Sequence, residues 1–217
     1  MQAKNLSLYH IIRVPETSEA KAPVIILFHG YGSNEEDLFS FAAELPKHLF
    51  VISVRAPRNL PPYGYSWYDI HYTATEKISN DEQAIESRDM IASFIDEVVE
   101  NYPVDVNNVT LLGFSQGTIL SYAVAFTYPE KIKNVIALSG YLNHNLFDIS
   151  DNQKYKHLDF YCSHGSVDQV IPVEAAREIT PFMELHSIQH VYEEYPVGHG
   201  VAPQNFYSFK AWLEKRT

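Results

Sequence analysis

Short apolar runs alternate with longer segments of helical periodicity along nearly the whole chain. The run PVIILF at residues 23–28 is continuous and rich in β-branched side chains, which is typical of a strand buried on both faces of a sheet. Residues 80–102 instead carry apolar side chains at spacings of three and four, with Ser79 or Asn80 available as an N-cap, which predicts a long helix. Strands that alternate with helices form a mostly parallel sheet that is covered by helices on both faces.

The same two patterns assign the rest of the chain. They predict seven strands, at residues 6–14, 23–28, 49–54, 108–114, 134–139, 158–163 and 190–196. They predict five helices, at residues 35–45, 80–102, 116–126, 173–186 and 203–214. Two connections are long, residues 56–79 and 140–156, and long loops in a compact chain often bind ligands or cover a site. The 217 residues fit a single domain, 1–217.

The charge balance argues against several classes of partner. The chain has 16 Lys and Arg against 27 Asp and Glu, a net charge of −11, whereas phosphate binding needs a basic face. We therefore expect no nucleic-acid partner and no attraction to anionic membranes. The one cysteine, Cys162, cannot form an internal disulfide, which suits a reducing compartment. No signal-peptide pattern and no long apolar run occurs, so we expect a cytoplasmic protein without stable membrane insertion.

The glycines are concentrated at the carboxyl ends of predicted strands, where parallel sheets bind their ligands. The chain has nine glycines, and those at or shortly after such an end include Gly30, Gly32, Gly113, Gly117, Gly165, Gly198 and Gly200. Glycines also mark ordinary turns, but four of these strand ends carry Ser, Asp or His as well. We therefore expect the functional site at this edge of the sheet.

The segment GFSQG, residues 113–117, is a G-x-S-x-G between a predicted strand and a predicted helix. Such a turn exposes the serine hydroxyl in a strained conformation, and small residues two before and two after let strand and helix pass closely. The amino end of the helix adds a partial positive charge near a developing oxyanion. These features predict that Ser115 is a catalytic nucleophile.

A nucleophilic serine needs a general base and a carboxylate that orients this base. His199 lies in Gly-His-Gly directly after the strand at 190–196, where a mobile imidazole could reach Ser115. Asp168 follows the strand at 158–163, which favours it as the acid, and His164 beside it is expected to make structural hydrogen bonds. The alternatives that remain open are Asp148, Asp151 and Asp159 for the acid and His186 and His190 for the base.

An acyl-transfer site also needs two backbone N–H groups for the oxyanion and a pocket for the substrate. One donor is the residue after the nucleophile, Gln116, and the second is expected after an early strand, at Tyr31. The two long connections are rich in apolar and aromatic residues, namely Tyr63, Tyr65, Trp67, Tyr68, Tyr141, Leu142, Leu146 and Phe147. These residues either wall an acyl groove or simply pack the loops onto the sheet. As walls of the pocket we assign Trp67, Tyr68, Tyr141 and Val170.

Taken in order, the motifs resemble those of the phospholipase/carboxylesterase group of the α/β-hydrolase superfamily, which contains acyl-protein thioesterases and small carboxylesterases. The matching segments are LFHGYGSNEEDL, APR with YSWYDI, LLGFSQG, IALSGYL, HGSVDQVIP and GHG, within residues 24–200. The resemblance implies the triad Ser115, Asp168 and His199, oxyanion donors at Tyr31 and Gln116, and neither a cofactor nor a metal. Thr118, Tyr141 and Tyr31 depart from residues that are common in the group, which bears on substrate preference.

The expected function is hydrolysis of carboxylic esters or thioesters of small or acyl-chain substrates through an acyl-enzyme on Ser115. One alternative is a long-chain acyl-protein thioesterase or lysophospholipase, and another is a hydrolase scaffold that binds a ligand without catalysis. A dienelactone-type hydrolase would carry cysteine at residue 115, and a peptidase would need an additional domain. We expect no large lid domain, and exposed apolar loops around the site are compatible with a homodimer.

Overall fold

A seven-stranded sheet forms the centre of the computed structural model, which describes residues 1–16, 20–62, 64–72, 77–149 and 152–217. The strands are β1 (His10–Arg13), β2 (Ala22–Phe28), β3 (Phe50–Val54), β8 (Val104–Phe114), β9 (Asn134–Leu138), β10 (Asp159–Gly165) and β11 (Gln189–Tyr195), with four short strands between β3 and β8. Their spatial order is β1-β3-β2-β8-β9-β10-β11. Among the described pairings of this sheet only the edge pair β1–β3 is antiparallel, so the predicted mostly parallel sheet is confirmed.

In the described ranges, six α-helices cover the two faces of the sheet. They are α1 (Glu35–Phe39), α2 (Asp81–Asn101), α3 (Gln116–Thr127), α4 (Val173–Arg177), α5 (Ile179–Leu185) and α6 (Pro203–Glu214). Alternate residues of β2 point to opposite faces: Val24, Ile26 and Phe28 join the core that contains α2 and α3, whereas Ile25 and Leu27 join the core that contains α1 and α6. Burial on both faces explains why the PVIILF run is continuously apolar.

The capping of α2 follows the prediction from the sequence. The Asn80 side chain accepts a hydrogen bond from the N–H of Gln83 at 3.1 Å and so satisfies one of the unpaired donors of the first turn. The helix ends at Asn101, shortly before Pro103, which cannot continue it. The buried side of α2 packs on the same face of the sheet as α3.

Several boundaries differ from the sequence prediction. The helix predicted at 173–186 is two helices, α4 and α5, because Pro181 lacks the N–H that would donate to Arg177. The helix predicted at 35–45 is the short α1 followed by a 3₁₀ turn, Ser40–Ala43. The strand β8 begins at Val104, four residues earlier than predicted, because Val104 pairs with Ala22 across a register shift.

The connection between β3 and α2 contains two small hairpins rather than one irregular loop. Strands β4 (Arg58–Asn59) and β5 (Tyr65–Ser66) form one pair, and β6 (Ile70–Tyr72) and β7 (Lys77–Ser79) form the other. Tyr63 lies outside the described residues. No helix in the described ranges is both long enough and apolar enough to cross a membrane.

Candidate active site

Ser115 occupies the turn between β8 and α3 in a conformation that is rare for a residue with a side chain. Its φ is 53° and its ψ is −114°, and its N–H donates to the carbonyl of Leu138 at 2.9 Å. Backbone strain of this kind costs about 1–3 kcal/mol and persists where the surrounding structure enforces it. The strained turn that G-x-S-x-G predicts is therefore present.

The two glycines of the motif are required by close backbone contacts. A Cβ on Gly117 would lie 2.0 Å from the carbonyl oxygen of Phe28, at the end of the neighbouring strand β2. A Cβ on Gly113 would lie 2.5 Å from the backbone of Gly117. The beginning of α3 is thus pressed against β2 and β8, and this contact fixes the position of Ser115.

Thr118 connects α3 to the adjacent strand β9. Its hydroxyl donates to the carbonyl of Leu138 at 2.6 Å and accepts from the N–H of Leu138 at 3.0 Å. The same carbonyl accepts the N–H of Ser115. The hydroxyl therefore fixes Leu138, whose carbonyl holds the backbone of Ser115.

Asp168 and His199 form a hydrogen-bonded pair although they are 31 positions apart. The Nδ1–H of His199 donates to Oδ2 of Asp168 at 2.7 Å, which leaves Nε2 without a proton in the neutral ring. Asp168 follows β10, and His199 lies between β11 and α6, so both side chains project from carboxyl ends of strands. The ring of His199 also packs on Phe114, the neighbour of Ser115, with a centroid separation of 5.0 Å.

The carboxylate of Asp168 is stabilised in its ionised form. Burial alone would raise its pKa, but hydrogen bonds from the N–H of Ile171, from His199 and from the N–H of Val170 outweigh burial and hold the pKa below its ordinary value. His164 is fully buried, with Nε2 2.9 Å from the carbonyl of Ile171 and 3.3 Å from Asp168 Oδ2. The geometry gives His164 the supporting role that the sequence suggested.

The other candidate acids and bases engage other partners. Asp159 accepts from Arg216, His186 contacts Asn152, and His190 contacts the carbonyl of Ile188. Asp148 is exposed beside a different cavity, and Asp151 lies outside the described residues. Among the candidates that the structure describes, it pairs only Asp168 with His199.

Tyr31 and Gln116 both border the cavity at Ser115. Gln116 is the first residue of α3, where the backbone N–H has no acceptor within the helix. Tyr31 lies in the turn after β2, and a Cβ on the preceding Gly30 would be only 3.3 Å from the Cβ of Ser115. The turn therefore runs directly beside the serine, at the place where a second oxyanion donor is needed.

Side chains around these two residues hold the oxyanion region in place. The Gln116 amide accepts from the N–H of Trp67 at 2.8 Å and donates to the carbonyl of Tyr68 at 2.7 Å, so the β5–β6 connection is fastened to α3. His29 accepts from the N–H of Ala56 through Nε2, so its Nδ1 carries the proton and donates to the Gly30 carbonyl at 2.7 Å. Burial lowers the pKa of His29 and keeps it neutral in this role.

The cavity at Ser115 has a volume of about 260 Å³ and mostly apolar walls. Its lining includes Tyr68, Tyr141 and Val170, which sequence analysis assigned to the pocket, and also Ile70, Ile119 and Ile171, which it missed. Trp67 does not line the cavity. Its side chain is instead fully buried in the core, and its Nε1 donates to the His29 carbonyl at 2.9 Å. Trp67 follows the two-residue strand β5, and its buried neighbours Ser66 and Tyr68 show no alternation that could have identified this inward orientation.

A larger cavity, of about 790 Å³, shares no lining residue with the cavity at Ser115. Leu146 and Phe147, considered for the acyl groove, border this second cavity, and Leu142 is buried in the core. None of these three residues lines the cavity at Ser115, although Leu142 borders a groove that shares Ser79 and Tyr141 with this cavity. In the described part of the chain, no group of three or more His, Cys, Asp or Glu side chains is placed to hold a metal ion.

Comparison with known proteins agrees with this architecture. The phospholipase/carboxylesterase family matches residues 10–217. Acyl-protein thioesterase 1 of Yarrowia lipolytica is 30% identical over 175 residues, which cover 75% of this chain and 76% of that protein. Acyl-protein thioesterase 1 of Kluyveromyces lactis is 28% identical over 194 residues, covering 81% of this chain and 82% of that protein.

The fold also matches a solved structure closely. The carboxylesterase of Bacillus cereus superposes with a TM-score of 0.85 at 20% identity, over 98% of this chain and 96% of that chain. That identity supports the fold alone, whereas the family match covers nearly the whole sequence. The chain therefore belongs to the phospholipase/carboxylesterase family and is an α/β-hydrolase-fold esterase of the carboxylesterase and acyl-protein thioesterase type.

Proposed function

We propose that the protein hydrolyses carboxylic esters or thioesters through an acyl-enzyme on Ser115. The observation that carries the proposal is the strained Ser115 turn in one cavity with His199, which is hydrogen-bonded to Asp168. In the first step the Ser115 oxygen attacks the carbonyl carbon while its proton passes to Nε2 of His199. Among the described residues no hydrogen bond joins Ser115 to His199, so the two side chains must approach as the substrate binds.

Asp168 keeps His199 in the tautomer that accepts this proton and stabilises the imidazolium that forms. The negative charge on the former carbonyl oxygen is stabilised by the N–H groups of Tyr31 and Gln116. The tetrahedral intermediate then expels an alcohol or thiol, which takes the proton from His199. Water attacks the acyl-enzyme with His199 again as base, and this releases the acid and restores Ser115.

The size of the cavity favours small or short acyl groups. Its volume of about 260 Å³ is at the lower limit of typical ligand pockets, which hold about 300–1,000 Å³. A long-chain acyl-protein thioesterase is the second candidate, because relatives at 28% and 30% identity are acyl-protein thioesterases. Such a substrate would extend beyond the cavity that the described residues enclose.

A series of p-nitrophenyl esters from acetate to palmitate tests both readings. We expect turnover that is highest for short chains and that falls by about 10⁴-fold or more in Ser115→Ala. Ser93→Ala is the matched control, because Ser93 is exposed on α2 and bonds only its own helix, to the carbonyl of Asp89. A maximum at long chains would favour the thioesterase reading, and equal turnover in Ser115→Ala would refute the proposed nucleophile.

A further inference from the structure

The described lining of the catalytic cavity carries a negative charge and no positive one. Among the described residues that line it, Asp37 is the only acidic one and none is Lys or Arg. Asp168 is close by, but its charge is engaged with His199. A substrate that enters the cavity therefore meets one carboxylate and no fixed cation.

The carboxylate of Asp37 is held in place beside the oxyanion turn. Asp37 lies on α1, which follows that turn, and its Oδ2 accepts the hydroxyl of Ser33 at 2.6 Å. The charge of Asp37 also acts on the buried His29. Burial is the larger effect and lowers the pKa of His29, whereas the negative charge of Asp37 raises it. The nearby cation Arg55 offers little compensation, because both oxygens of Glu35 already bind it.

A neighbouring groove extends the same pattern. The groove, of about 440 Å³, shares the wall residues Ser79 and Tyr141 with the catalytic cavity. Its described lining includes Asp81 and again no Lys or Arg. Asp81 accepts from the amides of Asn143 and Asn145, which are neutral groups. An acidic side chain thus borders the catalytic cavity, and another borders the adjoining groove.

We propose that Asp37 is a specificity-determining residue that favours esters and thioesters with a cationic group near the scissile bond and disfavours those with an anionic group. The inference rests on the proposed hydrolysis at Ser115 and names the substrate class of that site. Two unit charges about 7 Å apart in a water-like medium interact by an energy that corresponds to about a threefold change in rate. Opposite signs shift the rate in opposite directions, so the cation-to-anion preference is about tenfold.

Three butanoyl thioesters of matched shape test the proposal. The leaving groups are thiocholine, which is cationic, dimethylbutanethiol, its neutral carbon isostere, and mercaptoethanesulfonate, which is anionic. Released thiol is measured with a chromogenic disulfide reagent, which the fully buried Cys162 does not consume. The corresponding oxygen esters are measured by proton release. Each series is run at low and high salt with wild type, Asp37→Asn, Glu36→Gln and Ser115→Ala.

The expected result is a cation-to-anion ratio of kcat/KM near 10 in wild type that falls about three- to tenfold in Asp37→Asn. Asn retains an oxygen that can accept from Ser33, so the change removes charge with little change of shape. Glu36→Gln removes the same charge from the next residue of α1, which lies outside the cavity, and should keep the wild-type ratio. High salt should reduce the ratio in wild type more than in Asp37→Asn.

The outcomes separate this inference from the proposed function. Serine-dependent turnover with the same ratio in wild type and Asp37→Asn would overturn the role of Asp37 and leave hydrolysis at Ser115 intact. An equal fall of the ratio in Glu36→Gln would assign the preference to net charge and would also overturn it. Absence of Ser115-dependent turnover on all six substrates would overturn the proposed function and the inference together.

Discussion

Substitution of Gly117 by Ala should displace the nucleophile, because the added methyl group has no space. Its Cβ would lie 2.0 Å from the carbonyl oxygen and 2.6 Å from the carbonyl carbon of Phe28, and 2.9 Å from the carbonyl oxygen of His29. These are backbone atoms of β2 and of the oxyanion turn, and no side-chain rotation relieves the contact. Cβ atoms in protein structures essentially never approach another heavy atom within 3.0 Å. The contact at 2.0 Å must therefore lengthen by at least 1.0 Å, which moves α3 and β2 apart.

A shift of this size moves Ser115 relative to Tyr31 and His199. A misplacement of about 1 Å can reduce a catalysed rate by about 10²-fold, and overpacking typically costs about 1–3 kcal/mol of stability. For a chain of this length that cost corresponds to a fall in Tm of about 2–12 °C. We therefore expect kcat/KM on a short-chain p-nitrophenyl ester to fall about 100-fold, with a clearly lowered Tm in a calorimetric scan.

Gly200→Ala is the matched control for this prediction. A Cβ at Gly200 meets nothing within 4 Å, although the residue is the neighbour of His199. We expect Gly200→Ala to stay within about threefold of the wild-type kcat/KM and within about 2 °C of its Tm. If Gly117→Ala behaves like Gly200→Ala, the close contact between α3 and β2 does not fix the serine and the reasoning is wrong.

Three further predictions concern the stability of the fold. Thr118→Val should lower the free energy of unfolding by about 1–3 kcal/mol, since the N–H of Leu138 loses its hydroxyl acceptor. Thr118→Ser keeps the hydroxyl and should retain most of the stability. Urea unfolding measures both variants, and equal stability of the Val and Ser variants would contradict the anchoring role. Cys162 should resist thiol reagents in the native protein, because burial raises its pKa to about 12, and should react after denaturation in guanidinium; rapid native labelling would contradict its burial. Stability should fall as the pH drops below 6.5, the ordinary value for histidine, because burial lowers the pKa of His29 and of His10 and only the unfolded chain takes up these protons in that window. Denaturant titrations between pH 7.5 and about 5 measure this slope, and stability that rises in this direction would show that these two histidines are not held neutral.

The sheet could be predicted from the sequence because each central strand is a short apolar run that is bounded by polar residues or glycine. The run at β2 and the capped helix α2 illustrate this, since local pattern and tertiary burial agree there. Helix α6 is also where the pattern predicts it, from Pro203 to Glu214. The split between α4 and α5 was missed because apolar spacing alone ignores the missing N–H of Pro181.

The candidate site was predictable to the extent that it lies at strand ends. Ser115, Asp168 and His199 each follow a strand, and parallel pairing brings those ends together at one edge of the sheet. Their catalytic roles stay predictions until the variants are measured. The glycines near these residues are not equivalent: Gly117 has a backbone contact that excludes a side chain, and Gly198 has none within 4 Å.

The walls of the cavity could not be predicted in the same way. Trp67 and Tyr68 are adjacent, but one side chain fills the core and the other borders the cavity, because the Gln116 amide fixes the backbone of both. Asp37 was not recognised as a lining residue, although it falls in the segment after β2 that the strand-end rule marks for inspection. Such positions depend on how loops fold onto the sheet, and local sequence pattern carries little information about that.

Labelling with a fluorophosphonate tests the central claim most directly, because the reagent transfers its phosphonyl group to an activated serine and releases fluoride. We expect one phosphonyl group per folded chain. Trypsin releases residues 89–131 as one peptide, which contains Ser93, Ser115 and Ser121, and fragment masses should place the group on Ser115. Ser115→Ala should remain unlabelled while Ser93→Ala is labelled like wild type. A folded wild-type protein that stays unlabelled, or that carries the group on another residue, would contradict the assignment of Ser115 as the nucleophile.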